Sequence, residues 1–131
     1  MSLGDELRYL RARAGGPSPL EIAEACGVEA GLYRQLEQRY REMGDDETLQ
    51  KLSVYFGCEA ALLQQARSHS RKALSAYLAK VQELDGQIKL RLRSGETLQG
   101  RLAWWDMAAI GLHPDDSGTL IVLQRHVVVD W

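Results

Sequence analysis

"DGQIKLRLRSGETLQG", residues 85–100, is where the hydrophobic repeat of this chain changes. Ile88, Leu90 and Leu92 alternate with Lys89, Arg91 and Arg93, the two-residue repeat of a strand with one buried face. Asp85-Gly86 opens the run and Ser94-Gly95 turns it. Upstream the repeat is 3.6 residues. Leu74, Tyr77, Leu78, Val81 and Leu84 form the apolar stripe of an amphipathic helix over 73–84. Helices on one side of residue 85 and strands on the other predict an α+β chain.

Downstream, "TLQGRLAWWDMAAIGL" (97–112) reads as one long strand or two strands meeting at a bend, with Gly100 as a bulge or a close-packing point. "HPDDSG" (113–118) is a turn, and "TLIVLQRHVVVDW" (119–131) supplies two more short strands. The tail from about residue 70 is therefore expected to be one helix and about five antiparallel strands closing a small barrel. Four consecutive apolar residues, Leu120 to Leu123, and three more, Val127 to Val129, break the alternation that such a strand should show. Apolar residues on both faces mean that both are covered, and the second cover is another subunit. Leu120, Val122, Val127 and Val129 are the predicted oligomer interface. Head-to-tail contacts of this kind close into a ring.

Upstream of the joint, residues 1–65 read as short helices. Leu7 and Leu10 open the first stripe, and Gly15-Gly16-Pro17 ends it. Ser18 caps a second helix with Pro19 in its first turn, where a missing N–H costs nothing. Ile22, Ala23 and Cys26 face inward, and Gly27 stops the helix in a left-handed turn. Tyr33, Leu36 and Tyr40 mark the buried side of a third helix. Leu49, Leu52, Ser53 and Phe56 mark a fourth, closed by Gly57. The polar run "QARSHSRK" (65–72) is the joint between two domains, 1–66 and 70–131.

The 131 residues carry a net charge of −2, unevenly spread. Residues 1–65 hold seven Lys and Arg against eleven Asp and Glu, a balance of −4; residues 66–131 hold nine against seven, +2. A nucleic-acid binder is expected to show a basic footprint, and the front half does not. Two cysteines, Cys26 and Cys58, stand at small apolar positions and read as reduced core thiols. No run reaches the length of a membrane span and no secretory signal opens the chain. The expectation is a cytoplasmic protein that binds no membrane.

Leu10-Arg11, Ser18, Ile22-Ala23, Gly27-Val28, Leu36-Glu37 and Leu49…Leu52 before Phe56-Gly57 carry a resemblance over residues 4–65. This half resembles the Xre/Cro-repressor type of helix-turn-helix. The resemblance implies a DNA-binding transcription regulator whose third helix enters the major groove with its first residues. Those are Glu29, Ala30, Gly31, Leu32, Arg34 and Gln35, of which Arg34 and Gln35 can make bidentate base contacts. Arg39 and Arg41 would add to the contact. Leu32, read as exposed beside Ala30, would suit a protein partner.

Gly95…Leu98-Gln99-Gly100, Leu102, Asp106, Leu112 and Arg125-His126 carry a second resemblance over residues 70–131. This half is similar to the Sm fold, closest to its bacterial Hfq-like branch. The resemblance implies an RNA pocket that uses a basic-His pair, here Arg125 and His126. After Asp106 stand Met107 and Ala108, where the family has a base-stacking aromatic. Lys89, Arg91 and Arg93 on one strand face would add a phosphate-tracking stripe. Trp104 and Trp105 face opposite ways as strand neighbours and read as core or subunit packing. His69 and His113 read as exposed.

No catalytic triad, paired carboxylates, phosphate loop or metal spacing is present, so no enzyme, cofactor or metal is expected. Three readings stand. One is a DNA-binding regulator oligomerised through an Sm-like tail. Another is an Hfq-like RNA binder whose helical domain contacts protein. The last is an assembly module that binds no nucleic acid. Duplex DNA is the favoured partner.

Overall fold

The structure, a computed structural model, describes residues 1–39 and 42–131. Tyr40 and Arg41, expected as a core side chain and a DNA contact, lie outside the described residues. Among the described residues the chain is α+β, six helices followed by a five-stranded antiparallel sheet. It divides into two compact units, residues 2–70 and residues 71–131 together with Met1.

The helical unit holds α1 (Leu3–Arg13), α2 (Pro19–Cys26), α3 (Ala30–Gln38), α4 (Asp46–Phe56) and α5 (Ala60–Ser68). Local chemistry sets the ends of α2. The Ser18 hydroxyl accepts from the Glu21 N–H and the Glu21 carboxylate accepts from the Ser18 N–H, a reciprocal cap in front of Pro19. Gly27 then takes φ 71° and ends the helix, a conformation costly for any residue with a Cβ. Leu7, Ile22, Tyr33, Leu49, Leu52 and Leu63 are wholly buried at the centre of this unit. Cys26, Cys58, Ala30 and Leu32 are half-buried and pack around it. Leu32 is thus not the exposed side chain expected: it closes the rim of the core beside Ala30.

The second unit begins with α6 (Arg71–Glu83). The strands are β1 (Gln87–Leu92), β2 (Thr97–Trp105), β3 (Ala109–Pro114), β4 (Ile121–Gln124) and β5 (Val128–Asp130), with a 3₁₀ turn at Arg125–Val127. Leu74, Leu78 and Val81 of α6 cover Ile88, Leu90, Ile110, Leu112 and Val128 of the sheet. Leu84, expected to extend the α6 stripe, lies past the helix end and is 71% exposed. The bonded order is β4-β3-β2-β1-β5. Among the described residues, β4 and β5 are the two ends of this order.

Gly100 is a close-packing point, since a Cβ there would lie 2.2 Å from the His113 carbonyl oxygen on β3. The bulge comes later, between Leu102 and Trp104. One extra residue on β2 there resets the side-chain alternation ahead of the two tryptophans.

Candidate nucleic-acid interface

The two sides of α3 differ in chemistry. Tyr33, Leu36 and Glu37 point inward and are buried, while Arg34, Gln35 and Gln38 are exposed. Glu37 is a buried carboxylate, and the fold surrounds it with donors. Arg11 on α1 reaches it through Nε at 2.8 Å and Nη2 at 3.1 Å. The Tyr33 hydroxyl donates to the same Oε1 at 2.7 Å. A fully buried carboxylate without such partners would cost several kcal/mol; with them it pins α3 against α1. Hydrogen bonding to Glu37 raises the Arg11 guanidinium pKa further. Burial first, and Glu37 second, push the Tyr33 phenol well above its usual range. Glu37 is thus a charged residue held inside the unit, 6% exposed. Its signal was available: position 37 falls four residues after Tyr33 and one after Leu36, inside the apolar stripe.

Of the residues assigned to DNA, Arg34, Gln35 and Arg39 are exposed, Arg39 at the C-terminal cap of α3. Ala30 is half-buried against the core. Glu29 is the exposed N-cap residue, and its side chain makes no capping bond. Glu21 and Glu24 on α2 are exposed as well. The exposed side chains of α2 and α3 therefore include two groups suited to base edges, Arg34 and Gln35, and those of Glu21, Glu24 and the N-cap Glu29 add three carboxylates.

In the sheet unit, Lys89 and Arg91 stand on the outer face of β1 and are exposed. With Thr97, Asp130 and Trp131 they line an open depression of about 380 Å³. The Trp131 ring stacks on Tyr77, centroids 6.2 Å apart and planes 27° apart. Arg93 does not share this face. β1 ends at Leu92, and Arg93 lies half-buried in the following turn, its N–H donating to Val127 O at 2.8 Å.

Arg125 also departs from expectation. The resemblance sets it beside His126 on an RNA surface, but it is 6% exposed. Its guanidinium donates to Asp106 O at 2.8 Å, Arg71 O at 2.9 Å and Ser75 Oγ at 2.8 Å, and lies 5.9 Å from the Trp105 ring centre. It joins the β2–β3 turn to α6, which a buried cation does by filling its donors with carbonyls. His126, the neighbour, is exposed. Asp106 shapes the same turn by accepting from the Ala108 and Ala109 N–H groups at 2.7 and 2.8 Å, and those bonds hold its carboxyl below the usual range. Trp105 donates from Nε1 to Gln82 on α6 at 3.1 Å.

The four predicted interface residues split. Leu120 and Val122 are 44% and 58% exposed, and Val127 and Val129 are half-buried. Sequence reasoning missed that Trp104, 38% exposed, lies over Gly111 beside Val122. The bulge that places it leaves no mark in composition.

Among the described residues, no three of His, Cys, Asp and Glu come together as a metal-holding group. No helix among them is long and apolar enough to cross a membrane. No family model, no curated protein and no solved structure matches the chain.

Proposed function

We propose that this chain is a transcription regulator of the Xre helix-turn-helix type that binds duplex DNA through α3. Its sheet unit, read as Sm-like, gathers several helical units into one oligomer. The observation that carries this is the two-sidedness of α3. Arg34 and Gln35, side chains able to read guanine and adenine in the major groove, stand outside, while the Arg11–Glu37–Tyr33 cluster holds the other side in place.

The exposed Glu21, Glu24 and Glu29 weaken each head against phosphate. Oligomerisation offsets this, because the second head binds at a high effective concentration once the first is seated. Anisotropy titrations of the protein against duplex DNA at two salt concentrations test the reading. Affinity is expected to fall as salt rises, with a log–log slope of about −0.9 per phosphate contacted. Arg34→Ala with Gln35→Ala should abolish duplex binding. Unchanged binding in that variant overturns the DNA role of α3.

The depression beside Lys89 and Arg91 favours a second reading, single-stranded RNA held on the sheet unit, because two exposed cations and the half-buried Trp131 line it together. Lys89→Ala with Arg91→Ala should then remove RNA binding and spare duplex binding.

A further inference from the structure

We infer that two copies of this chain pair edge to edge through β4, antiparallel and about a twofold axis at Val122, into one continuous sheet. This rests on the reading that the sheet unit oligomerises, and it names the surface and the partner.

Among the described residues, β4 is bonded on one side, to β3. The free side follows from the register. Arg125 N–H donates to Ala108 O, in line with the pairs Ala109↔Gln124, Ile110↔Leu123, Gly111↔Val122 and Leu112↔Ile121. Hydrogen-bonded and non-bonded pairs alternate in an antiparallel ladder. Leu123 and Ile121 therefore bond to β3, and the N–H and C=O of Val122 point to the open edge. A row of open backbone groups is a template for another strand, and solitary proteins guard such edges with charge, proline or bulges. Leu120 to Gln124 contains no charged residue and no proline.

The outer face beside that edge is apolar. Trp104, Gly111 and Val122 lie side by side across β2, β3 and β4. A Cβ on Gly111 would come within 2.3 Å of Trp104 Nε1, so the indole rests on the bare glycine and reaches toward the edge. Trp104, Leu120 and Val122 thus leave an apolar strip in water that stops at an unguarded strand.

A second β4 completes this edge better than β5 does. With Val122 opposite Val122 of the second copy, Leu120 faces Gln124 and Ile121 faces Leu123. The outward-pointing backbone groups then form the bonded pairs, and on the inner face apolar meets apolar. β5 has three residues, an irregular register against β1 between Arg91 and Leu92, and an acid at Asp130. Setting it against β4 would bring a carboxylate to the apolar strip. A C2 pairing also needs only the one edge.

The test is a cysteine at the axis of the full-length chain. Residues opposite one another in a bonded antiparallel pair have Cα atoms about 5.5 Å apart, within disulfide reach. Val122→Cys under mild oxidation should give a covalent dimer whose mapped bridge joins position 122 to position 122. Leu120→Cys alone should not link to itself, while Leu120→Cys with Gln124→Cys should link between chains. Val122→Lys, at an exposed site, should convert a dimer to a monomer by light scattering with unchanged circular dichroism. An oligomer in which Val122→Cys bridges only to a cysteine placed at Val129 overturns the twofold pairing and leaves oligomerisation standing. A monomer at every concentration overturns both. A 122–122 bridge that forms readily in a protein whose wild type binds no duplex counts against the DNA reading alone.

Discussion

Replacing Glu37 tests whether α3 is positioned by a buried polar cluster. In Glu37→Gln the amide oxygen can still accept from Tyr33, but an NH₂ now faces the Arg11 guanidinium, and a charge-assisted bond becomes a donor against a donor. The Glu37 side chain is 7% exposed and that of Arg11 29%, so solvent screens the arginine in part. A charged hydrogen bond of this kind is worth about 1.5–3 kcal/mol, and the screening places the expected loss near 2 kcal/mol. Glu37→Ala removes every acceptor, strands the wholly buried Tyr33 hydroxyl, and should cost about 4 kcal/mol. In a unit of this size, each kcal/mol moves the melting temperature by about 4–8 °C. The glutamine variant should therefore melt about 10 °C lower. The assay is thermal and urea unfolding followed by far-ultraviolet circular dichroism. Trp104, Trp105 and Trp131 all belong to the sheet unit, so their fluorescence reports that unit separately. Duplex affinity should fall in the same variants although no DNA-facing group has changed. A helical transition unmoved by Glu37→Gln, or no further loss in Glu37→Ala, would refute the reasoning.

Two more outcomes are expected in the sheet unit. Arg125→Met strands two carbonyls and the Ser75 hydroxyl, and should cost about 3 kcal/mol by tryptophan-monitored urea unfolding; His126→Ala should stay within about 0.5 kcal/mol. Equal effects from the two would return Arg125 to the surface. Asp106 has a folded-state pKa below its unfolded value, so its contribution is complete above the unfolded value of about 4 and fades as pH falls through the folded one. Wild type should lose its advantage over Asp106→Asn across that acid range in melting experiments, and a difference independent of pH would contradict the turn-capping role.

Much of the fold is legible along the chain because its causes are local. Ser18, Pro19 and Glu21 carry the start of α2 and Gly27 its end, since a cap and a left-handed turn involve residues at most a few positions apart. The alternation of Ile88 and Leu90 with Lys89 and Arg91 carries β1 for the same reason. Arg34 and Gln35 could be placed outside because their neighbours Tyr33 and Leu36 had to be inside. Where the same logic misplaced residues, distance along the chain was the cause. Leu84 looked like one more turn of the α6 stripe, but the helix ends at Glu83 and nothing packs over the next residue. Leu32 looked exposed on α3 because the rim it closes is built by other helices.

Charged residues were the hardest to place. Their free energy in water or in the interior depends on partners that the local pattern does not contain. Glu37 is buried because Arg11 arrives from 26 positions away, and Arg125 because Arg71 and Ser75 arrive from 54 and 50 away. The composition and spacing of this chain are enough to set helices before strands, the break near residue 70 and the polar side of α3, since burying an apolar face at period 3.6 or 2 depends on the chain alone. Which cations serve as surface and which as struts, and which strand edge stays open, came with the packed molecule. Desolvating a charge or leaving a backbone edge unpaired is repaid only by groups that meet after the elements have come together.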